Sequence, residues 1–170
     1  AVLVTDKTGH RRVEVGPKVV LLDYDEIIMA LELSTGRPKS DRSLLRTGYL
    51  RVVNNVVSDQ VMVETRDLVS IRVDLSYRVN FEGATEAERL RWFDVENYVQ
   101  VLTDHCRSRL RRAAKNYGIT DFYANVIDII RDTLLGEASS ETSGGRTGLK
   151  FNENGMKVTD VEILDVRIDD

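Results

Sequence analysis

Residues 69–81 read VSIRVDLSYRVNF, and their side chains alternate strictly between apolar and polar. Every second position from Val69 to Phe81 is apolar, and serine, arginine, aspartate or asparagine fills the positions between them. Because side chains of a strand point alternately to its two faces, this pattern predicts one long strand over 68–81. That strand has a dry face, which helices must cover, and a charged face that stays free.

A second strand is predicted directly before the long one, over 60–65. Val61 and Val63 lie on one of its faces, and Arg66-Asp67 forms a two-residue connection into the long strand. The two strands therefore form an antiparallel hairpin. Apolar segments bounded by turn residues, with alternation over 11–15, predict shorter strands upstream over 1–5, 11–15, 19–22 and 27–33.

The apolar period becomes helical after residue 84. Apolar residues three and four apart predict a long helix over 95–117, with Asp94 as its N-cap and Gly118 as the residue that ends it. Shorter helices are predicted over 84–92 and from Thr120 to Leu134, where Gly136 stops the last one.

The last apolar segment, 156–168, changes phase twice. Its apolar pairs are Met156/Val158, Val161/Ile163 and Val166/Ile168, and each pair is one residue out of step with the one before. A straight strand cannot keep all three pairs on one face, so the segment predicts a strand with two bulges or bends.

Two connecting segments are less regular. The stretch 137–149 is small, polar and glycine-rich, which predicts a flexible loop. The stretch 44–57 stays ambiguous, because its apolar residues favour a strand while Asn54-Asn55 marks a turn.

Composition predicts one ordinary globular domain. The chain has 170 residues, a net charge of −4 and a single cysteine, so neither bulk nucleic-acid affinity nor an internal disulfide is indicated. No apolar run approaches the ~20 residues that span a bilayer. The predicted fold is α+β, a twisted, mainly antiparallel sheet with helices on one face. We assign it to a single domain over 1–170, with a β-rich part over 1–45.

The order of these elements resembles the SPFH family of stomatin, prohibitin and flotillin. The residues that carry this resemblance are VETRDLVSIRVDLSYRV at 63–79 and GMKVTDVEILDV at 155–166. A closer similarity is to the shoulder domain of the major vault protein family. It rests on VGPKVVLLDYDE at 15–26, LSTGRPK at 33–39, WFDVENYV at 92–99, IIRDTLLG at 129–136 and FNENGMKV at 151–158.

The vault resemblance implies a non-enzymatic scaffold of a cytoplasmic ribonucleoprotein shell, whose copies associate side by side. It also implies that the repeated β domains that precede a shoulder lie outside this chain, and that the isolated 170 residues are monomeric or weakly associated. Direct nucleic-acid binding by this domain is not expected. The alternative is a membrane-associated SPFH scaffold with a lipid or raft contact.

Few residues are candidates for chemistry. Cys106 lies in the apolar stripe of the long helix, so a structural thiol is favoured over a Cys106-His105 pair or a zinc site with His10. Asp23, Asp25 and Glu26 lack calcium-loop spacing and are interpreted as a solvated turn. No catalytic, cofactor or metal residue is predicted. A hydrolase with an unrecognised carboxylate pair stays a third hypothesis, and Asp128 with Asp132 is interpreted as two surface acids.

The long helix also carries a basic stripe, Arg107, Arg111 and Lys115, at positions i, i+4 and i+8. Three interpretations stay open: a solvated face, a subunit contact, or a site for RNA or anionic lipid. For the subunit contact we expect acidic partners on the next copy, namely Glu162, Asp165, Asp169 or Asp170.

Overall fold

The computed structural model describes residues 1–139 and 145–169. In the described chain the strands are β1 (Val2–Thr5), β2 (Arg11–Glu14), β3 (Ile27–Ile28), β4 (Leu31–Thr35), β5 (Ser40–Thr47), β6 (Asn55–Glu64), β7 (Ser70–Phe81), β8 (Leu149–Lys150) and β9 (Met156–Ile168). The helices are α1 (Glu86–Arg91), α2 (Tyr98–Ala114), α3 (Ile119–Ala124) and α4 (Val126–Leu135).

The described strands form three antiparallel sheets, ordered β2-β1-β3, β4-β5 and β6-β7-β9-β8. Helix α2 packs against β6, and α4 packs against β9. This is the predicted α+β fold, with helices gathered on one face of the largest sheet.

Strand β7 confirms the alternation from which the fold was predicted. Ile71, Val73 and Leu75 are buried in the core, whereas Arg78 is exposed on the opposite face. On that polar face Arg78 pairs with Glu162 of β9 at 3.0 Å, and Gln60 of β6 donates to Asp74 at 2.8 Å. The charged face is therefore held together by bonds between neighbouring strands.

The hairpin between β6 and β7 exists, but its predicted two-residue connection is wrong. Thr65 N donates to the carbonyl of Val69, so three residues, 66–68, form the turn. Leu68 has a φ of +65°, the left-handed conformation that ends this kind of three-residue loop. The Asp67 carboxylate accepts from the backbone N–H of Ile119 at 3.0 Å, so a tertiary contact fixes the turn.

The two predicted bulges of the last strand are confirmed. Pairing between β7 and β9 shifts by one residue between Asp74 and Leu75, and again between Arg78 and Val79. The extra residues are Leu164 and Thr159. They keep the apolar residues of β9 in phase with the dry face of β7.

Helix boundaries differ from those predicted. Helix α2 begins at Tyr98 because Asn97, not Asp94, caps it by accepting from Gln100 N. It ends at Ala114, and Gly118 has a φ of −73° as the N-cap of α3, so it is not the left-handed terminator that was expected.

The third predicted helix is divided in two, because Asn125 interrupts the chain between α3 and α4. Gly136, with a φ of +85°, ends α4 as predicted.

The first fifty residues contain the predicted hairpin of β1 and β2. The predicted strand over 19–22 is absent from the described structure. The predicted strand over 27–33 is divided into β3 and the start of β4. The ambiguous segment contains the end of β5 and the start of β6, with Asn54 in a left-handed turn between them. The flexibility predicted over 137–149 falls partly on residues 140–144, which lie outside the described residues.

Deleting a bulge residue tests the register of β9. Without Leu164, Ile163 and Val166 would still alternate correctly with Asp165, so we expect the 170-residue chain to fold with a loss of no more than about 3 kcal/mol. Deleting Ser76 from β7 has no bulge to absorb it and moves half of that strand to the wrong face. Urea unfolding followed by circular dichroism should show a cooperative transition for the first variant only, and two similar transitions would contradict this register.

Candidate assembly surfaces

The orientation of α2 follows from its buried residues. Leu102, Cys106 and Leu110 repeat at four-residue intervals and face the sheet. Arg107, Arg111 and Lys115 therefore lie along one flank of the helix. That flank runs beside β6, the outer strand of the largest sheet.

The first residue of the basic stripe is not a free surface charge. Arg107 donates from Nε to Asp59 Oδ2 at 2.8 Å and from Nη2 to Oδ1 at 2.6 Å, a bidentate pair. Asp59 is fully buried, and the Arg107 side chain is 15% exposed. The hydrogen bonds to Asp59 raise the pKa of Arg107, so the guanidinium stays charged and serves the fold.

Asp59 also organises the backbone of the β4–β5 turn. Its Oδ1 accepts from Lys39 N at 3.0 Å, and Arg107 Nη2 donates to the Lys39 carbonyl at 3.0 Å. Asp59 was not among the residues predicted from the sequence. Its signal was present, because Asp59 falls on the dry face of β6 between Val57 and Val61, where an unpaired charge costs several kcal/mol.

The other two basic residues stay at the surface. Arg111 Nε donates to the Met62 carbonyl on β6 at 3.2 Å, and Lys115 pairs with Glu64. Both partners of the second pair are about half-exposed. Exposed ion pairs contribute roughly 0–1 kcal/mol, so a competing partner can replace them at little cost.

The predicted acidic partners lie on β9. Glu162 pairs with Arg78 of β7, and Asp165 pairs with Arg167 at 2.6 Å. Asp169 pairs with Arg72 at 3.0 Å, while Asp170 lies outside the described residues. Among the residues described, no ion pair joins this acidic set to the basic stripe on α2.

The two charged sets are separated by the sheet itself. Strand β7 lies between β6 and β9. The basic stripe lies beside β6 and the acidic residues lie on β9, so the two sets are on opposite sides of β7. Strand β8 covers β9 only at Val158 and Lys157, which leaves the acidic half of β9 without a further strand in the described part of the chain. The structure therefore places the predicted residues apart, on two complementary surfaces.

The candidate nucleophile is buried. Burial raises the pKa of Cys106 to about 12, and this residue of α2 is part of the hydrophobic core. His105 is exposed and its ring contacts Phe151, with ring centroids 5.2 Å apart. These two residues do not form a catalytic pair.

Other predicted sites have structural partners. Glu26 binds Arg12 at 2.8 Å and accepts from Asp23 N. Asp132 pairs with Arg146, and Asp128 is exposed. Within 1–139 and 145–169, no group of His, Cys, Asp or Glu side chains is arranged to hold a metal ion.

The remaining arginines of α2 line a groove. Arg109, Arg112 and His105 border an open space of about 730 Å³ between α2 and α4. Neither arginine has an ion-pair partner among the described residues. The described residues that line the groove include no Phe, Tyr or Trp, which gives no support to base stacking in it.

The described residues of this α+β domain carry basic side chains on the flank of α2 beside β6 and acidic side chains on β9. Comparison with known proteins identifies its family. Residues 53–170 match the family model described as "Shoulder domain", that of the vault shoulder, and residues 2–50 match the "Major Vault Protein Repeat domain". The chain belongs to the major vault protein family.

Individual relatives agree with this assignment. The chain is 33% identical to the major vault protein of Gallus gallus over 168 residues and 31% identical to that of Trypanosoma cruzi over 160 residues. It is 30% identical to the major vault protein of Homo sapiens over 178 residues. These alignments cover 98%, 94% and 98% of the chain. They cover 19%, 19% and 20% of the relatives, so the chain spans about a fifth of their length.

The comparisons correct one expectation and leave others as they were. A repeat domain lies within the chain, at 2–50, where the sequence analysis placed all such domains outside it. Nothing found supports the wider SPFH assignment. In the described residues no helix is both long and apolar enough to cross a membrane. The single domain over 1–170 with a β-rich part over 1–45 stays a prediction.

The buried pair predicts an asymmetric stability effect. Asp59→Ala leaves the mostly buried Arg107 charge without its partner, so we expect the free energy of unfolding to fall by about 3–5 kcal/mol. Glu64→Ala removes the partner of Lys115 at the surface and should cost no more than about 1 kcal/mol. Urea denaturation of the two variants tests this. Equal losses in the free energy of unfolding would contradict a larger contribution from the buried pair.

Cys106 predicts a protected thiol. Because its pKa is near 12 and it is buried, we expect labelling of the native 170-residue chain by an aromatic disulfide reagent at pH 8 to be at least a hundredfold slower than in 6 M urea. Labelling at equal rates would contradict the packing of α2.

Proposed function

We propose that this chain is a structural, non-catalytic part of a vault-like shell, in which copies of the full-length protein stand side by side. The observation that carries this proposal is the match to vault family models over 2–50 and 53–170. The shell is cytoplasmic in this proposal. The contact between copies is assigned here from charge and topology.

The lateral contact joins two different surfaces. The flank of α2 beside β6, with Arg111 and Lys115, faces the acidic half of β9, with Glu162 and Asp165, on the next copy. Such a contact repeats around a ring, because each copy offers both surfaces. Each contact can be weak, since many copies engage at once.

Arg107 takes a different part in the contact. Its guanidinium holds the buried Asp59, so it fixes the side of α2 on which Arg111 and Lys115 lie. It positions the basic surface and is not itself exchanged between copies. A variant that changes Arg107 would therefore lower stability and assembly together.

Charge reversal of the exposed residues tests the proposal. In the full-length protein, Arg111→Glu with Lys115→Glu should reduce shell particles seen by negative-stain microscopy by at least tenfold, because two acidic surfaces then face each other. Glu162→Lys with Asp165→Lys should have a similar effect. The unfolding midpoint of each variant serves as the control for folding.

Mixing the two reversed proteins gives the sharper result. When equal amounts alternate around a ring, every contact joins an acidic surface to a basic one, so particles should return when the separate proteins form none. Normal particles from either double variant alone, or no recovery in a mixture of folded variants, would contradict this contact.

A further inference from the structure

The segment 18–24, KVVLLDY, is mostly apolar, and it pairs with no strand in the described structure. Val19 is 86% exposed, Leu21 is 83% exposed and Tyr24 is 96% exposed. We call this segment the arm. The composition of residues 19–22 predicts a strand, and the structure instead leaves these side chains in water.

The arm is held by side-chain contacts and not by the backbone hydrogen bonds of a sheet. Arg12 Nη2 on β2 donates to the Leu21 carbonyl at 3.3 Å, and the Lys7 ammonium lies 5.6 Å from the centre of the Tyr24 ring. No backbone hydrogen bond joins residues 18–22 to a strand in the parts of the chain that the structure describes. A β-strand needs a neighbour for its N–H and C=O groups.

Strand β5 lacks a neighbour of its own. It pairs with β4 on one side, and in the described structure no strand lies on its other side. Leu44 and Leu45 on β5 are half-exposed. A two-stranded sheet is marginally stable in water, and a third strand that covers apolar residues stabilises it.

The acidic end of the arm and the arginines of β5 carry opposite charges. Asp23 and Asp25 lie in and directly after the apolar part of the arm, and Arg42 and Arg46 flank the two leucines of β5. None of these four side chains makes an ion pair among the described residues. Opposite charges beside matching apolar residues favour one defined partner.

We propose that the arm of one copy adds as a third strand to β5 of a second copy. This inference rests on the proposed side-by-side assembly and assigns a second contact to it, within the repeat-domain region 2–50. The donor and acceptor surfaces differ, so the contact is head-to-tail and repeats around the shell.

A substitution in the arm tests the contact in the full-length protein. Leu21→Asp should lower the yield of particles at least tenfold, because a charge enters the apolar contact. Far-UV circular dichroism and the unfolding midpoint should not change, since the leucine is exposed in the single copy. Ile127→Asp is the matched control, because Ile127 is a 56%-exposed apolar residue on α4, far along the chain from the arm. It should leave assembly unchanged.

Cross-linking tests the partner directly. Val19→Cys and Leu45→Cys in one full-length chain, treated with a flexible bismaleimide during assembly, should give dimers and higher ladders on denaturing gels. Each single variant and the unsubstituted protein should not. A cross-link confined to monomers, or ladders equal to those of the controls, would overturn the contact.

The two proposals fail differently. If the Arg111 and Lys115 reversals leave particles intact while Leu21→Asp removes them, the charged lateral contact is wrong and the arm contact stands. If Leu21→Asp particles form normally, the arm contact is wrong, whatever the charge reversals show. Should Leu21→Asp lower the unfolding midpoint as well, the cross-link decides.

Discussion

The buried carboxylate of Asp59 imposes a requirement on the rest of the molecule. It lies on the dry face of β6, where hydrophobic residues surround it and water cannot solvate it. A charge in such a place is tolerated only when an opposite charge and hydrogen-bond donors satisfy it. Arg107 supplies two N–H groups and Lys39 supplies a third. The helix that carries Arg107 must therefore present this residue to the sheet.

This requirement fixes two larger features. Once Arg107 faces β6, residues four and eight positions further along α2 lie beside the same strand, which creates the basic flank. Through Lys39 the same pair also holds the β4–β5 turn of the repeat-domain region against the shoulder region. The cap of α2 repeats this link, since Asn97 accepts from Ser34 N at 3.0 Å and donates to Ser34 Oγ at 2.9 Å. These polar contacts join the two matched regions, whose apolar residues also share one core.

Sequence reasoning succeeded where periodicity alone decides the structure. The dry face of β7 and the two bulges of β9 follow from which residues are apolar, because an apolar residue that is out of phase would lie on the solvent face. It failed where a distant partner decides. The cap at Asn97 depends on Ser34, and the turn after Thr65 depends on Ile119. The arm is the reverse case, because its composition predicts a strand and the single copy provides no neighbouring strand.

The basic residues of the candidate surface can be recognised in the sequence, but their separate roles cannot. Arg107, Arg111 and Lys115 have the same spacing and charge, and nothing local separates a buried ion pair from an exposed one. The difference lies in Asp59, which is 48 residues away along the chain. The surface pair of Lys115 with Glu64 is worth little within one copy, and exposed pairs of the same kind between copies are too weak to hold them together by themselves. Charges of this kind select the partner and its orientation, while removal of apolar surface from water supplies most of the free energy of association. In the assembly proposed above, the exposed leucines and valines of the repeat-domain region supply the apolar surface that is buried, and the charged edges of the shoulder sheet define how copies line up to bury it.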